Sequence, residues 1–288
     1  FGAAQNNLEV QLASGIRDLN LKTDFDFYPF SNHKLKFGGL YTYHKFTPSV
    51  VSGRQDSVVF NPLNAQVKYA HETALYLQDD WEISPDFKVN MGLRFSSFQQ
   101  IGPHKIYTTD ADNNRLDSVV YQKGKPVKTY SGLEPRLTMR YSINEETSVK
   151  ASVTRNLQYI HLVSNAGTTL PTDLWVPSTY RVKPQISWLY AAGLFKNFTN
   201  NTYETSVEVY YKSLDNQIEY REGYTPNTLE DTEQDFTFGK GWSYGTEFFV
   251  NKIKGRLTGW VRYTLSYTWR KFDKLNAREK FPAKFDRR

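Results

Sequence analysis

The sequence contains no cysteine and only two methionines in 288 residues. Without thiols there is no disulfide framework, no Cys-based zinc site and no thiol nucleophile. Long hydrophobic runs are absent too: nothing approaches the roughly 18–20 consecutive apolar residues of a membrane-spanning helix. The mean hydropathy of −0.62 is low, but that excludes spanning helices only. A spanning barrel alternates its polarity residue by residue and shows no hydropathy peak. Nor is there a basic run of the kind found in nucleic-acid arms, because 36 Lys+Arg stand against 30 Asp+Glu and the net +6 is spread along the chain. Phe1-Gly2-Ala3-Ala4 is neither an initiator nor a signal peptide, and with Asp286-Arg287-Arg288 at the other end both ends look cut. The expectation is a portion of a longer, processed protein.

What the sequence has in quantity is aromatic side chains, 16% of all residues, set in a period of two. Leu257, Gly259, Val261, Tyr263, Leu265, Tyr267 and Trp269 alternate with a polar set that includes Arg262, Thr264 and Arg270. Leu133, Leu137, Met139, Tyr141 and Ile143 oppose Glu134, Arg136, Thr138, Arg140 and Ser142. Phe87, Val89, Met91, Leu93 and Phe95 oppose Lys88, Asn90, Gly92 and Arg94. On a strand such side chains point to opposite faces, one oily and one wet. Similar stripes run through 19–27, 35–43, 67–83, 149–159, 186–198, 203–211 and 242–250, which makes ten strands, with an eleventh around Leu8–Leu12. Helical spacing competes nowhere over a useful length.

The connections alternate in length. Short turns at 29–33, 84–86, 144–147, 199–202 and 254–255 carry Pro, Asn, Asp, Gly and Ser, the residues of tight reversals. Long polar segments fall at 47–66, 99–132, 161–185 and 222–240, and 118–130 is expected to form a small hairpin around Lys123-Gly124-Lys125. A soluble sandwich has shorter strands and no such sidedness. Stripes of about 9 to 17 residues meet the roughly 9–11 that a tilted strand needs to cross a bilayer. Aromatics near the strand ends, among them Phe27, Tyr28, Trp81, Phe195, Phe198, Tyr203, Tyr43 and Trp269, supply two girdles. His71, Thr73 and Asp79 fall on the apolar face of the 67–83 stripe, and the charge is expected near an interface because at mid-bilayer it would cost a few kcal/mol.

The fold class read from this pattern is all-β, a transmembrane antiparallel β-barrel. Open backbone groups cannot be left in lipid, so a sheet of this size that does not close on itself must close with other strands. Residues 1–288 are therefore expected to be part of one barrel domain, roughly half of a large barrel.

Catalytic and metal chemistry find little support. The five histidines, 33, 44, 71, 104 and 161, show no HExxH or paired spacing. Carboxylate neighbours such as Asp79-Asp80 and Glu145-Glu146 point to opposite faces of a strand. Gly239-Lys240-Gly241-Trp242 opens a strand and not a helix, so it makes no phosphate cradle. No enzyme activity, metal or cofactor is expected. The wet-face residues Arg94, Arg136, Arg140, Lys150, Glu204, Glu208, Glu247 and Arg262 are expected to line the lumen. They solvate the interior, or some of them touch cargo in transit. Cargo capture is expected in the long loops, where a rigid scaffold displays mobile segments. The candidates are Asp173 and Trp175 with Tyr180, an aromatic cluster beside a carboxylate and bracketed by Pro171 and Pro177.

Several stretches together carry a resemblance. They include His71-Glu72-Thr73-Ala74-Leu75-Tyr76-Leu77-Gln78-Asp79-Asp80-Trp81, Met91-Gly92-Leu93-Arg94-Phe95 and Leu133-Glu134-Pro135-Arg136-Leu137. Others are Asn156-Leu157-Gln158-Tyr159, Leu170-Pro171-Thr172-Asp173-Leu174-Trp175, Tyr244-Gly245-Thr246-Glu247 and Phe281-Pro282-Ala283-Lys284-Phe285-Asp286-Arg287-Arg288. In this order and spacing the chain resembles the barrel part of TonB-dependent receptors, in the version common in Bacteroidota outer membranes. The resemblance implies a plugged barrel of about 22 strands in a Gram-negative outer membrane, contacting lipid and driven through TonB to take up a scarce nutrient. The plug, the TonB-contacting segment and the first and last strands have no counterpart in this sequence. A structural barrel subunit of an envelope complex and a passive pore are the alternatives, with a secreted β-rich enzyme more remote. The nutrient, and whether a surface lipoprotein partners the barrel, stay open.

Overall fold

The computed structural model describes residues 2–5, 8–55, 58–60, 66–109, 115–163, 174–223, 232–284 and 286. In chain order its strands are β1 (Gly2–Gln5), β2 (Leu8–Phe30), β3 (His33–Gln55), β4 (Val58–Phe60), β5 (Lys68–Glu82) and β6 (Phe87–Ile101). Then come β7 (His104–Thr109), β8 (Arg115–Tyr121), β9 (Pro126–Ser142), β10 (Thr147–Gln158), β11 (Ile160–Val163) and β12 (Leu174–Pro177). The last are β13 (Gln185–Phe198), β14 (Tyr203–Tyr220), β15 (Phe236–Lys252), β16 (Gly259–Phe272) and β17 (Phe281–Pro282). Two 3-10 turns, Thr232–Asp235 and Asn276–Arg278, complete the described elements.

One antiparallel sheet runs β1-β2-β3-β5-β6-β9-β10-β13-β14-β15-β16-β17, with β4 beside β3. Each long strand pairs with the next long strand in sequence, so the sheet is a meander. The alternation dictates this: with one face of every strand apolar, only a register that keeps those faces together satisfies all strands at once. Thus Phe37 pairs Leu77, Leu77 pairs Leu93, and Phe95 pairs Leu133. Farther along, Leu194 pairs Val207, Val207 pairs Phe248 and Phe248 pairs Tyr263. Rings stack between strands on this face, Phe25 on Phe37 at 5.3 Å and Tyr244 on Tyr267 at 5.5 Å.

Burial is inverted relative to a soluble domain. On the apolar face Leu19 and Val261 are each 71% exposed and Leu75 is 66% exposed. On the polar face Thr42, His44, Ser96 and Glu134 are buried. A monomer in water does not present a continuous apolar belt while closing its polar side in; a barrel wall in hydrocarbon does.

The tight turns all lie at one end. Phe87 N donates to Ser84 Oγ at 3.1 Å, and Glu146 N donates to Asn144 Oδ1 at 3.0 Å. Thr199, Asn200 and Asn201 have φ of 53°, 52° and 58°, a left-handed run in which Asn is tolerated far better than most residues. At the other end the strands run on and the small elements gather. Close packing on the polar face needs glycine at one row. Tyr76 crosses over Gly38, which it opposes, and its hydroxyl donates to Asp24 on the far side. A Cβ on Gly38 would meet Thr23 O and the Tyr76 ring.

The structure revises several expectations. Leu8–Leu12 is the upper part of β2 and not a separate strand; the additional strand is Gly2–Gln5. The loop expected from 47 begins later, because β3 continues to Gln55. No hairpin forms around Lys123-Gly124-Lys125, since β8 pairs with β7 and not with β9. Phe195 belongs to the polar face, where Lys150 Nζ lies 4.1 Å from its ring centroid, and so is no girdle residue. Asp79 lies two residues from Trp81, which opposes His33 next to the tight turn, and His33 Nδ1 is 2.7 Å from its Oδ2. The apolar-face carboxylate is thus at the rim and partnered.

Both flanks of the sheet are open among the described residues. β1 pairs only with Leu8–Gln11 of β2, and β17 only with Trp269 and Arg270 of β16. The stretches of β2 and β16 that carry the apolar belt have a neighbour on one side only.

Candidate functional site

The polar face carries a chain of charges that crosses five strands. Asp18 Oδ1 of β2 is 2.8 Å from Nδ1 of His44 on β3, whose Nε2 is 3.3 Å from Glu72 Oε2 on β5. Glu72 Oε1 lies 3.7 Å from Arg94 Nη2 on β6, and Arg94 Nε lies 3.6 Å from Glu134 Oε1 on β9. Glu134 is 2% exposed. It also accepts from Ser96 Oγ at 2.7 Å and from Leu157 N at 3.1 Å. A carboxylate taken out of water is tolerated only with such a set of partners. Of this chain only Arg94 was expected as a lumen residue. His44, Glu72 and Asp18 share its face by parity, but the register that joins them is invisible in one strand read alone.

The other expected lumen residues share the same face. Lys88 and Lys150 both oppose Arg140 in register, Gly193 follows, and Glu208 and Glu247 continue the row. The row is basic on β6, β9 and β10 and acidic on β14 and β15. Glu247 is ion-paired with Arg262 on β16, and Glu204 accepts from Asn251 Nδ2 at 2.9 Å. Arg136 lines a cavity of about 210 Å³ with Lys22, Tyr76, Gln78 and Arg94. Arg140 faces a second recess of about 320 Å³ that also touches Asp80, Lys88 and Asn90.

At the end away from the tight turns the polar face is roofed. β12 packs against β2 and β3, while its hairpin partner β11 packs against β14. Five strands separate β3 from β14 in the sheet order, so a four-residue strand pair touches both only because the sheet curls around it. Leu174, Val176, Val163 and Val182 bury against Ile218 and Phe236. A second apolar cluster is formed by Phe46, Ala70, Phe98 and Tyr159, with Phe98 stacked on Tyr159 at 5.2 Å. Lys68 at the start of β5 is ion-paired with Glu233 of the 3-10 turn, and Thr179 Oγ1 donates to Glu233 Oε2 at 2.7 Å. Tyr130 OH donates to Thr179 O at 2.8 Å.

His161 of β11 is buried with Nε2 3.2 Å from Ser178 Oγ. Burial pushes its pKa down to about 4, so the ring is neutral at physiological pH. Among the described residues no three His, Asp or Glu side chains are arranged to hold a metal ion.

Of the expected cargo residues, Asp173 lies outside the described residues. Trp175 is 43% exposed between buried Leu174 and Val176, so it points away from the apolar cluster. Tyr180 sits on the segment after β12, where Arg181 Nε donates to its hydroxyl at 2.5 Å. Sequence reading missed Glu233, Lys68 and Thr179, which bind the roof together. Their signal is weak, because each is an ordinary polar residue beside a long polar segment.

The family described as TonB dependent receptor-like, beta-barrel, matches residues 3–286. No curated protein sequence matches the chain. Among solved structures it is similar to the ferric yersiniabactin uptake receptor FyuA from Yersinia pestis, at 12% identity over 94% of this chain and 38% of that one, with a TM-score of 0.57. The alcaligin outer membrane receptor FauA from Bordetella pertussis gives 14% identity over 96% of this chain and 42% of that one, TM-score 0.55. The ferripyoverdine receptor of the outer membrane of Pseudomonas aeruginosa gives 13%, 97%, 36% and 0.54 for the same quantities. The chain spans about two fifths of the length of the solved structures it matches.

Proposed function

The chain belongs to the TonB-dependent receptor β-barrel family, and from that premise we propose that it forms part of the wall of an outer-membrane nutrient receptor. The observation that carries this reading is the inverted burial, an apolar belt in register across ten strands backed by a closed polar face. The open flanks of β2 and β16 support completion by further strands, because unpaired donors and acceptors in hydrocarbon cost several kcal/mol each. The whole protein would then be a barrel of about 22 strands around a plug, in a Gram-negative outer membrane and of the Bacteroidota type. Cargo captured at the roofed, long-loop end would pass along the polar wall when TonB acts on the plug. The lumen assignments of Arg94, Arg136, Arg140, Lys150, Glu204, Glu208, Glu247 and Arg262, and the cargo roles of Asp173, Trp175 and Tyr180, belong to this proposal.

Two of the solved relatives are named for ferric ligands, as a ferric yersiniabactin uptake receptor and a ferripyoverdine receptor, which supports a scarce nutrient as the cargo class. The test is uptake in the native host by strains lacking either the full-length gene or TonB. Both deletions are expected to abolish high-affinity uptake of the same nutrient. Uptake that survives TonB loss would favour a passive pore. Unchanged uptake without the gene, together with partners that co-purify with the barrel, would favour a structural subunit.

A further inference from the structure

The loopward rim of the apolar face is lined with cations set against one another. Arg17 on β2 opposes Lys45 on β3, one outward pair beyond Leu19 and Tyr43. Lys240 on β15 opposes Lys271 on β16, one outward pair beyond Trp242 and Trp269. Between these flanks Arg155 on β10 opposes Trp188 on β13, with the guanidinium 5.9 Å from the indole centroid. Lys280 adds a further cation 5.0 Å from the Trp269 ring.

Like charges directly opposite on one face of a sheet destabilise it. Arg17, Lys45 and Lys271 are all exposed, and none of the three has an acidic partner among the described residues. Lys240 has one exposed carboxylate, Asp215, at 3.5 Å. At the tight-turn rim the apolar-face cations are arranged differently. Lys196 and Lys252 lie singly over Phe198 and Tyr203, as side chains that snorkel do.

We propose that the loopward rim binds the phosphate groups of outer-leaflet lipid, with Arg17–Lys45 as one clamp and Lys240–Lys271, assisted by Lys280, as a second. This rests on the reading of the apolar face as lipid-facing. A phosphate bearing two negative charges seated between opposed cations turns a repulsive pair into an attractive triad. Arg17 can meet it with two parallel N–H donors, and the lysines act as point charges. The acyl chains of the same lipid run down over Leu19, Leu21 and Tyr43 on one flank, and over Tyr267, Leu265 and Tyr263 on the other. The occupant is therefore a phosphorylated lipid and not a free anion, since each clamp stands directly above apolar surface.

The test uses the full-length protein in nanodiscs of phosphatidylcholine, doped with either a bis-phosphorylated lipid A or its dephosphorylated form, with retained lipid counted by native mass spectrometry. Retention of the phosphorylated lipid alone is expected. R17Q/K45Q and K240Q/K271Q should each weaken it by roughly ten- to thirtyfold, at about one kcal/mol per cation near a charged surface. Inorganic phosphate at millimolar concentration should not compete. Equal retention of both lipids, or unchanged retention in both variants, overturns the proposal. Heat-modifiable migration of the same samples reports insertion separately. Protein that does not insert refutes the lipid-facing reading instead, and inserted protein without phosphate selectivity refutes the clamps alone.

Discussion

Lys68, the first residue of β5, is ion-paired with Glu233, which arrives from the connection between β14 and β15. The two residues are 165 apart in sequence. Their side chains keep only 16% and 3% of their exposure, so the pair sits in a largely dry setting where Thr179 supplies a further donor. The contact ties the roof of the polar face to the wall on its opposite side.

Removing one member should free the roof without unfolding the wall. K68M leaves a buried carboxylate without its cation, which costs on the order of 3–5 kcal/mol. The expected outcome is faster hydrogen exchange at 174–182 and 232–238 with the long strands unchanged. The K68M/E233L double variant should recover most of the protection. Equal exchange in the parent and in K68M would show that the pair carries no weight in the roof.

The roof should also loosen in acid, and His161 sets where. Its folded pKa, about 4, lies below the ordinary 6.5, so between those values the opened state binds the proton that the closed state refuses. The stabilisation is complete above about pH 6.5 and is lost as the pH falls toward 4, by roughly 3 kcal/mol. The protection factors of 160–163 and 174–177, which are exchange rates relative to the intrinsic rate at each pH, should therefore fall between pH 7 and pH 4.5. H161F should flatten that dependence, and a variant with the parent's profile would rule the imidazole out as its source.

A charge on the belt should cost far more than a charge on the wall. Leu93 is 48% exposed on the apolar face between Leu77 and Pro135, whereas Gln78 faces the polar cavity beside Arg136. L93R is expected to destabilise the barrel by about 2–4 kcal/mol in bilayers, and Q78R by less than 1 kcal/mol. Urea titration of the full-length protein in phospholipid vesicles compares the two. Similar costs would mean that the two faces share one environment.

Much of the fold was legible because it is encoded locally. The alternation through Phe87–Phe95 or Leu257–Trp269 specifies a strand and both its faces without reference to any other part of the chain. The tight turns are equally local, since Asn144 or Thr199–Asn201 shape the backbone within a few residues. Pairing between strands is not local. That Glu72 sits between His44 and Arg94 follows only from the stagger of three strands, and no single stripe carries that information. The same holds for β7 and β8, whose Val119 and Val120 suit a strand in either hairpin; the partner is chosen in three dimensions. The roof was least legible, because it is built from short apolar pieces such as Leu174 and Val176 that bury between distant strands and leave no periodic signature.

The meander has a consequence for assembly. Each long strand between β2 and β16 hydrogen-bonds to the long strands before and after it in sequence, so the wall can zip up one hairpin at a time, the tight turns closing first and the long connections costing little more because closure entropy grows slowly with length. Only two steps demand that remote parts of the polypeptide find one another: seating the roof, and joining the free borders of β2 and β16 to whatever strands complete the ring. Those late, long-range encounters are where formation of this protein should slow.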